Sequence, residues 1–170
     1  MTEKKSIDLQ KFTRQDLLLA AMKNEIDSKT VYTKLALKVK NDLLKDKLQF
    51  LAKEEEKHRD VLEQIFKEQF PKEKMVLPKK NVVPLPEITI TVEDTPISKI
   101  IYSAMQAEQN AADFYQALSK QFISNTKIKN TLHYFATMEL EHYKILELEK
   151  ESMEHFEEAD MYWPMVHAGP

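Results

Sequence analysis

Two segments of this chain carry the same polar pair at helical spacing, Glu55-x-x-His58 and Glu139-x-x-His142. Each follows a lone glutamate placed seven residues before a tyrosine, Glu25…Tyr32 and Glu108…Tyr115. The glutamate–tyrosine pairs lie 83 residues apart and the glutamate–histidine pairs 84, so one insertion accounts for the difference. The flanks repeat as well: Leu51-Ala52 aligns with Phe135-Ala136, and Val61-Leu62 with Ile145-Leu146. A period this long, present twice, implies a duplicated helical hairpin rather than a solenoid. The chain's other histidines, His133, His155 and His167, have Asn130, Ser152 and Pro164 where the repeat has glutamate. The pairing is therefore specific to the repeat and is not a by-product of abundant glutamate.

The surrounding sequence favours long helices. It has one glycine in 170 residues and is rich in Glu, Lys, Leu and Ala. It contains no cysteine, which excludes disulfides, thiolate catalysis, Cys-ligated zinc and iron–sulfur clusters. A net charge of −3, without a basic stripe interleaved with aromatics, argues against nucleic-acid binding. Met1 to Phe12 is polar and lacks an apolar signal core. No apolar run is long enough to span a bilayer, so the expectation is a cytoplasmic protein without membrane contact.

Thr13-x-x-Asp16 is a capping signal that opens a first helix, expected to end near Asn41. Its shared face holds Leu18, Met22, Glu25, Tyr32, Ala36 and Val39. A second helix is expected over 43–69, before Pro71, with Leu44, Leu48, Leu51, Glu55, His58, Leu62 and Ile65 inward. Those steps of four and three mark a bundle seam. Residues 70–95 carry Pro71, Pro78, Pro84 and Pro86, with a short alternating run at 88–92, and read as a long crossover. Thr95-Pro96 starts a third helix to Phe122, with Ile101, Met105, Glu108, Ala111, Tyr115, Leu118 and Phe122 on one face. After a turn at Ser124-Asn125, a fourth helix is expected over 126–153, with Ile128, Leu132, Phe135, Glu139, His142 and Leu146 inward. The tail, 154–170, reads as a short extra helix or a segment docked on the bundle. The expected architecture is one all-α domain, a four-helix bundle of two hairpins (13–69 and 96–153) joined by a crossover, as in ferritin-like folds.

Residues three apart lie one turn along the same helix face. Glu-x-x-His therefore aims a carboxylate and an imidazole at one point, and two such helices give two carboxylates able to bridge two metals. One further glutamate from each remaining helix completes the set. Four carboxylates buried together are costly unless neutralised, and two divalent cations neutralise them without protons. Oxygen donors plus imidazole suit iron or manganese, with zinc as a substitute.

The pattern Glu25…Tyr32, Glu55-x-x-His58, Glu108…Tyr115, Glu139-x-x-His142 resembles the diiron domain of rubrerythrins, and the segment from Leu51 to Leu62 is especially similar. The resemblance implies Glu55 and Glu139 as bridging carboxylates, Glu25 and Glu108 as terminal ligands, and His58 and His142 as imidazole ligands. Tyr32 and Tyr115 would hydrogen-bond the glutamates. It also implies two iron ions, reduction of hydrogen peroxide or dioxygen, a separate electron-donor protein and a homodimer. Two departures stand out. Rubrerythrins usually carry another glutamate one turn after the third-helix ligand, where this chain has Ala111 and, in the first repeat, Ser28. They also often carry a Cys-ligated rubredoxin module, which a chain without cysteine cannot form.

Two other functions compete with a diiron oxidoreductase. One is an iron-binding or ferroxidase protein in iron homeostasis, which Ala111 leaves open. The other is a structural bundle with a vestigial site. For Tyr32 and Tyr115, core packing competes with tuning of the site. Glu54, Glu56 and Glu141 read as a solvated face. Met22, Met105 and Met138 read as core filler.

Overall fold

The computed structural model describes residues 9–79 and 97–162, with side chains up to His155. The Thr95-Pro96 start, the alternating run at 88–92, His167 and the end of the tail lie outside the described residues. After a 3-10 turn, Leu9–Lys11, come four long helices: α1 Arg14–Lys38, α2 Asp42–Gln69, α3 Ile97–Ser119 and α4 Thr126–Tyr162. The chain has the all-α, ferritin-like bundle architecture.

The starts of α1, α2 and α4 each have a local cause. The Thr13 hydroxyl accepts from the Asp16 amide at 3.1 Å, while the Asp16 carboxylate accepts from the Thr13 amide at 3.2 Å. This capping box satisfies two amides that the first turn would leave bare. Thr13→Ala should destabilise the protein by about 1 kcal/mol, read as a lower urea midpoint with an unchanged slope.

Three boundaries differ from the sequence expectation. α1 stops at Lys38 rather than near Asn41, and Val39 turns extended. Asn41 instead serves the next helix, its side-chain oxygen accepting from the Leu44 amide at 3.0 Å. A short amide side chain is worth more capping a helix than ending one. α3 ends at Ser119, and Lys120–Phe122 tightens into a 3-10 turn. Asn125 then caps α4 by accepting from the Ile128 amide at 3.1 Å. α4 continues past Met153 to Tyr162, since no glycine or proline interrupts it before Pro164.

The bundle interior is two apolar layers with a polar layer between. One apolar layer joins the start of α1 (Leu17, Leu18, Met22), the end of α2 (Leu62, Phe66), the end of α3 (Leu118) and the start of α4 (Leu132, Phe135). The other joins Leu35 and Ala36, Leu44, Leu48 and Leu51, Ile101 and Met105, and Leu146. The ends of α2 and α3 share a layer, so those helices run parallel. Two parallel helices of α2's length need a connection that spans about 42 Å. A half-buried tie with no signal in the sequence links α2 to α4: Glu149, 6% exposed, is paired with the partly exposed Lys47. Among the described residues no helix is long and apolar enough to cross a membrane.

Candidate metal centre

The polar layer consists of the six residues that the repeat singles out. Glu25, Glu55, His58, Glu108, Glu139 and His142 are all at most 4% exposed. They come one from each of α1 and α3 and two from each of α2 and α4. Their donor atoms form two overlapping sets, Glu25–Glu55–His58–Glu139 and Glu55–Glu108–Glu139–His142, each with its atoms within 4.8 Å of one another. Glu55 and Glu139 belong to both.

Each imidazole turns Nδ1 into the layer. His58 Nδ1 lies 3.0 Å from Glu139, 3.4 Å from Glu25 and 3.5 Å from Glu55. His142 Nδ1 lies 3.2 Å from Glu139, 3.4 Å from Glu55 and 3.8 Å from Glu108. The two rings stack with centroids 5.6 Å apart, and Phe135 packs against His58 at 4.4 Å. The tyrosines cross between hairpins: Tyr32 on α1 donates to Glu108 on α3, and Tyr115 on α3 donates to Glu25 on α1. A seven-residue step is two helical turns, so antiparallel α1 and α3 bring each tyrosine opposite the other's glutamate. The hydroxyls thus hold the glutamates, and the rings also fill the core.

Burial dominates the electrostatics. With the charges of Glu55 and Glu139, it pushes the Glu25 and Glu108 carboxyls well above their ordinary value of 4.5. Burial also acts on Glu55 and Glu139, but contact with both imidazoles outweighs it and holds these carboxyls below that value. Burial opposes a charged imidazole. The close carboxylates of Glu139, Glu25 and Glu55 nevertheless raise His58 to about 12, and those of Glu108, Glu139 and Glu55 raise His142 far above its ordinary value. Tyr32 and Tyr115 are held neutral by burial and by the carboxylates they touch. Without metal, then, the layer reaches neutrality with two imidazolium and two carboxylate groups. Two divalent cations facing four carboxylates and two neutral imidazoles would be neutral too.

The proton solution leaves buried atoms unsatisfied. Glu25 Oε2, Glu55 Oε1, His58 Nδ1, Glu139 Oε1 and His142 Nε2 are buried without a well-aligned hydrogen bond, although His58 Nδ1 and Glu139 Oε1 stand 3.0 Å apart as an ion pair. Such groups are rare in folded proteins and costly. All five atoms belong to residues of the two donor sets, so the layer is compatible with a pair of cations.

The remaining polar residues fall elsewhere. His133, His155 and Glu141 are exposed. Glu56 pairs with Lys29 at 2.6 Å, and Glu54 with Lys57 at 2.6 Å. Glu54 is more covered than a solvated face predicts, at 13% side-chain exposure. Met22 and Met105 are core residues, and Met138 is half-buried. The contact of Phe135 with His58 was not anticipated. Its only trace in the sequence is that Leu51 occupies the equivalent place in the first repeat.

Comparisons with known proteins agree with this arrangement. The rubrerythrin family model matches residues 16–150. A solved structure of a hypothetical protein from Pyrococcus furiosus is similar over 88% of this chain and 95% of its own, with 32% identity and a TM-score of 0.79. No curated protein matches.

Proposed function

The chain belongs to the rubrerythrin family, and from that footing we propose that it is a non-haem diiron oxidoreductase reducing hydrogen peroxide or dioxygen. The observation that carries the reading is the pair of overlapping donor sets sharing Glu55 and Glu139. In this reading Glu55 and Glu139 would be shared by both metal positions, Glu25 and His58 would complete one, and Glu108 and His142 would complete the other. Iron is the resident metal; manganese suits the same donors, and zinc substitutes for it. A ferrous pair, once bound, supplies the two electrons that convert peroxide and two protons into two waters.

The protein's part is to hold and to exclude. The hydroxyls of Tyr115 and Tyr32 pin Glu25 and Glu108 from the opposite hairpin. The apolar layers above and below keep bulk water away, which strengthens every charge interaction between them. Because the chain has no cysteine, the electrons come from a separate donor protein. We place the protein in the cytoplasm as a homodimer, which sizing in solution would test.

Iron-loaded protein, reduced without oxygen, should consume peroxide faster than the same concentration of free ferrous iron, and Glu55→Ala should abolish the excess. Consumption no faster than free iron would overturn the reading. Ala111 favours one second reading, in which the protein oxidises iron rather than detoxifies peroxide. The family's usual carboxylate at that place is missing, and a buried methyl group stands there. Iron oxidised and retained well beyond two ions per chain would select that reading.

A further inference from the structure

We infer that the oxidant reaches the metal layer from the α1–α3 side, and that the hydroxyl of Ser28 donates the hydrogen bond that orients it there. The inference rests on the diiron reading proposed above and adds the place and the residue at which that reading takes its oxidant. The layer has two unlike flanks. His58 and His142 come from α2 and α4 and turn Nδ1 inward, with their rings stacked 5.6 Å apart. An approach between α2 and α4 therefore meets imidazole rings before it meets a carboxylate. Between α1 and α3 the donor residues are Glu25 and Glu108 alone.

The crossed tyrosine contacts set the register of that second flank. With Tyr32 on Glu108 and Tyr115 on Glu25, antiparallel α1 and α3 place Ser28 opposite Ala111, midway between the two pairs. The tyrosine side chains span the space from one helix to the other, whereas a hydroxymethyl and a methyl group reach only a short way into it. A close-packed interior would fill that middle with larger side chains. It is left instead to Ser28 and Ala111, with Ala112 beside them. The seal is also thinner here: Ser28 is 8% exposed and Ala111 5%, against 1–2% for the four glutamates.

Ser28 is an uncommitted donor. Thr30 and Thr33, its neighbours on α1, return their hydroxyls to carbonyls one turn back at 2.8 Å. Ser28 makes no such bond and has no other partner among the described residues. A buried polar group without a partner needs a reason, and a small oxygen-bearing ligand supplies one. The side chain sits one turn beyond Glu25 on the same helix. It is two bonds shorter than a glutamate, so its hydroxyl stops short of the donor atoms and leaves a place for a diatomic between. An oxygen of peroxide or dioxygen accepts from the hydroxyl; the contact orients the molecule and transfers no proton. Ala111 opposite carries no donor, and the hydroxyls of Tyr32 and Tyr115 are engaged with the glutamates.

Azide is the probe, a small anion that binds ferric iron and accepts hydrogen bonds. Full-length protein loaded with ferric iron is titrated with sodium azide. Binding is read from the azide-to-iron charge-transfer absorption, and iron is counted in every sample. Ser28→Ala should bind azide about tenfold more weakly at an unchanged iron count, as loss of one hydrogen bond to an anion requires. Adding Ala111→Ser to Ser28→Ala supplies a hydroxyl from the opposite helix and should restore the affinity. Ala111→Leu should block the approach and abolish the absorption while the iron stays. Ser28→Ala, a small-for-small change, keeps the test open if Ala111→Leu fails to fold. Equal azide affinity in Ser28→Ala and the unaltered protein overturns the role of the hydroxyl, as does a loss that Ala111→Ser leaves uncorrected, which marks Ser28 as packing only. Azide binding that survives Ala111→Leu overturns the route, as does iron-loaded unaltered protein that gives no azide absorption. None of these results touches the diiron reading, which falls, and the inference with it, if the unaltered protein holds no iron.

Discussion

Replacing Glu139 by alanine should empty both metal positions, while replacing Glu25 or Glu108 should empty only one. The difference follows from the overlap: Glu55 and Glu139 serve both donor sets, and Glu25 and Glu108 serve one each. Removing a shared carboxylate takes a ligand from both ions and also the charge that lets them sit close together. Mutual repulsion of two divalent cations is then opposed by one bridging group instead of two. Loss of an end ligand leaves its neighbour's four donors intact. Elemental analysis after iron loading and desalting should find about two ions per chain in the unaltered protein, about one in Glu25→Ala or Glu108→Ala, and essentially none in Glu139→Ala. Glu55→Ala should match Glu139→Ala. The same count in all four variants would mean that the residues do not divide into shared and end groups, and the assignment of roles would fail.

Much of this arrangement was legible in the residues, for reasons that can be named. The inward faces of all four helices follow from spacing alone. Leu44, Leu48, Leu51, Leu62 and Ile65 are buried where the four-and-three rhythm puts them, and Glu55 and His58 are buried with them. A polar residue in such a rhythm has nowhere else to go. The repeat offset of 83 for Glu25 and Tyr32 against Glu108 and Tyr115 carries the crossed tyrosine–glutamate contacts implicitly, because a duplicated hairpin pairs with itself about an approximate two-fold axis. The helix ends were less legible. Asn41 can close one helix or open the next, and only the geometry of the turn decides that its oxygen reaches the Leu44 amide. The run past Met153 lacks any breaker, but breaker-free sequence permits a helix without requiring one. The half-buried pair Lys47–Glu149 left no sign, since both residues look like ordinary surface charges until α2 and α4 are laid side by side.

The metal-free and metal-loaded protein should respond to pH in opposite directions. Without metal, Glu25, Glu108, His58 and His142 hold protons more tightly folded than unfolded, because their folded values are raised. Their contribution to stability is complete below the ordinary values of 4.5 and 6.5 and is lost as pH rises through the folded values, which reach about 12 for His58. Glu55 and Glu139 act the other way. Their folded values are lowered, so their contribution is present above 4.5 and is lost on acidification. Together the six groups favour the metal-free fold most at mildly acidic pH and progressively less toward alkaline pH. Loading reverses the slope, because an ion takes the place of protons. The two imidazoles each release one proton, and Glu25 and Glu108 release two more wherever they still hold them. Apparent affinity for the pair should therefore climb by about two to four powers of ten per pH unit in the neutral range. Melting in a chelator should shift to lower temperature between pH 6 and pH 9, while melting with excess Mn2+ shifts upward over the same range. A pH-stat titration would count the protons directly. Release of fewer than two per pair of ions would mean that His58 and His142 are not protonated in the metal-free layer, and the charge balance drawn for it would be wrong.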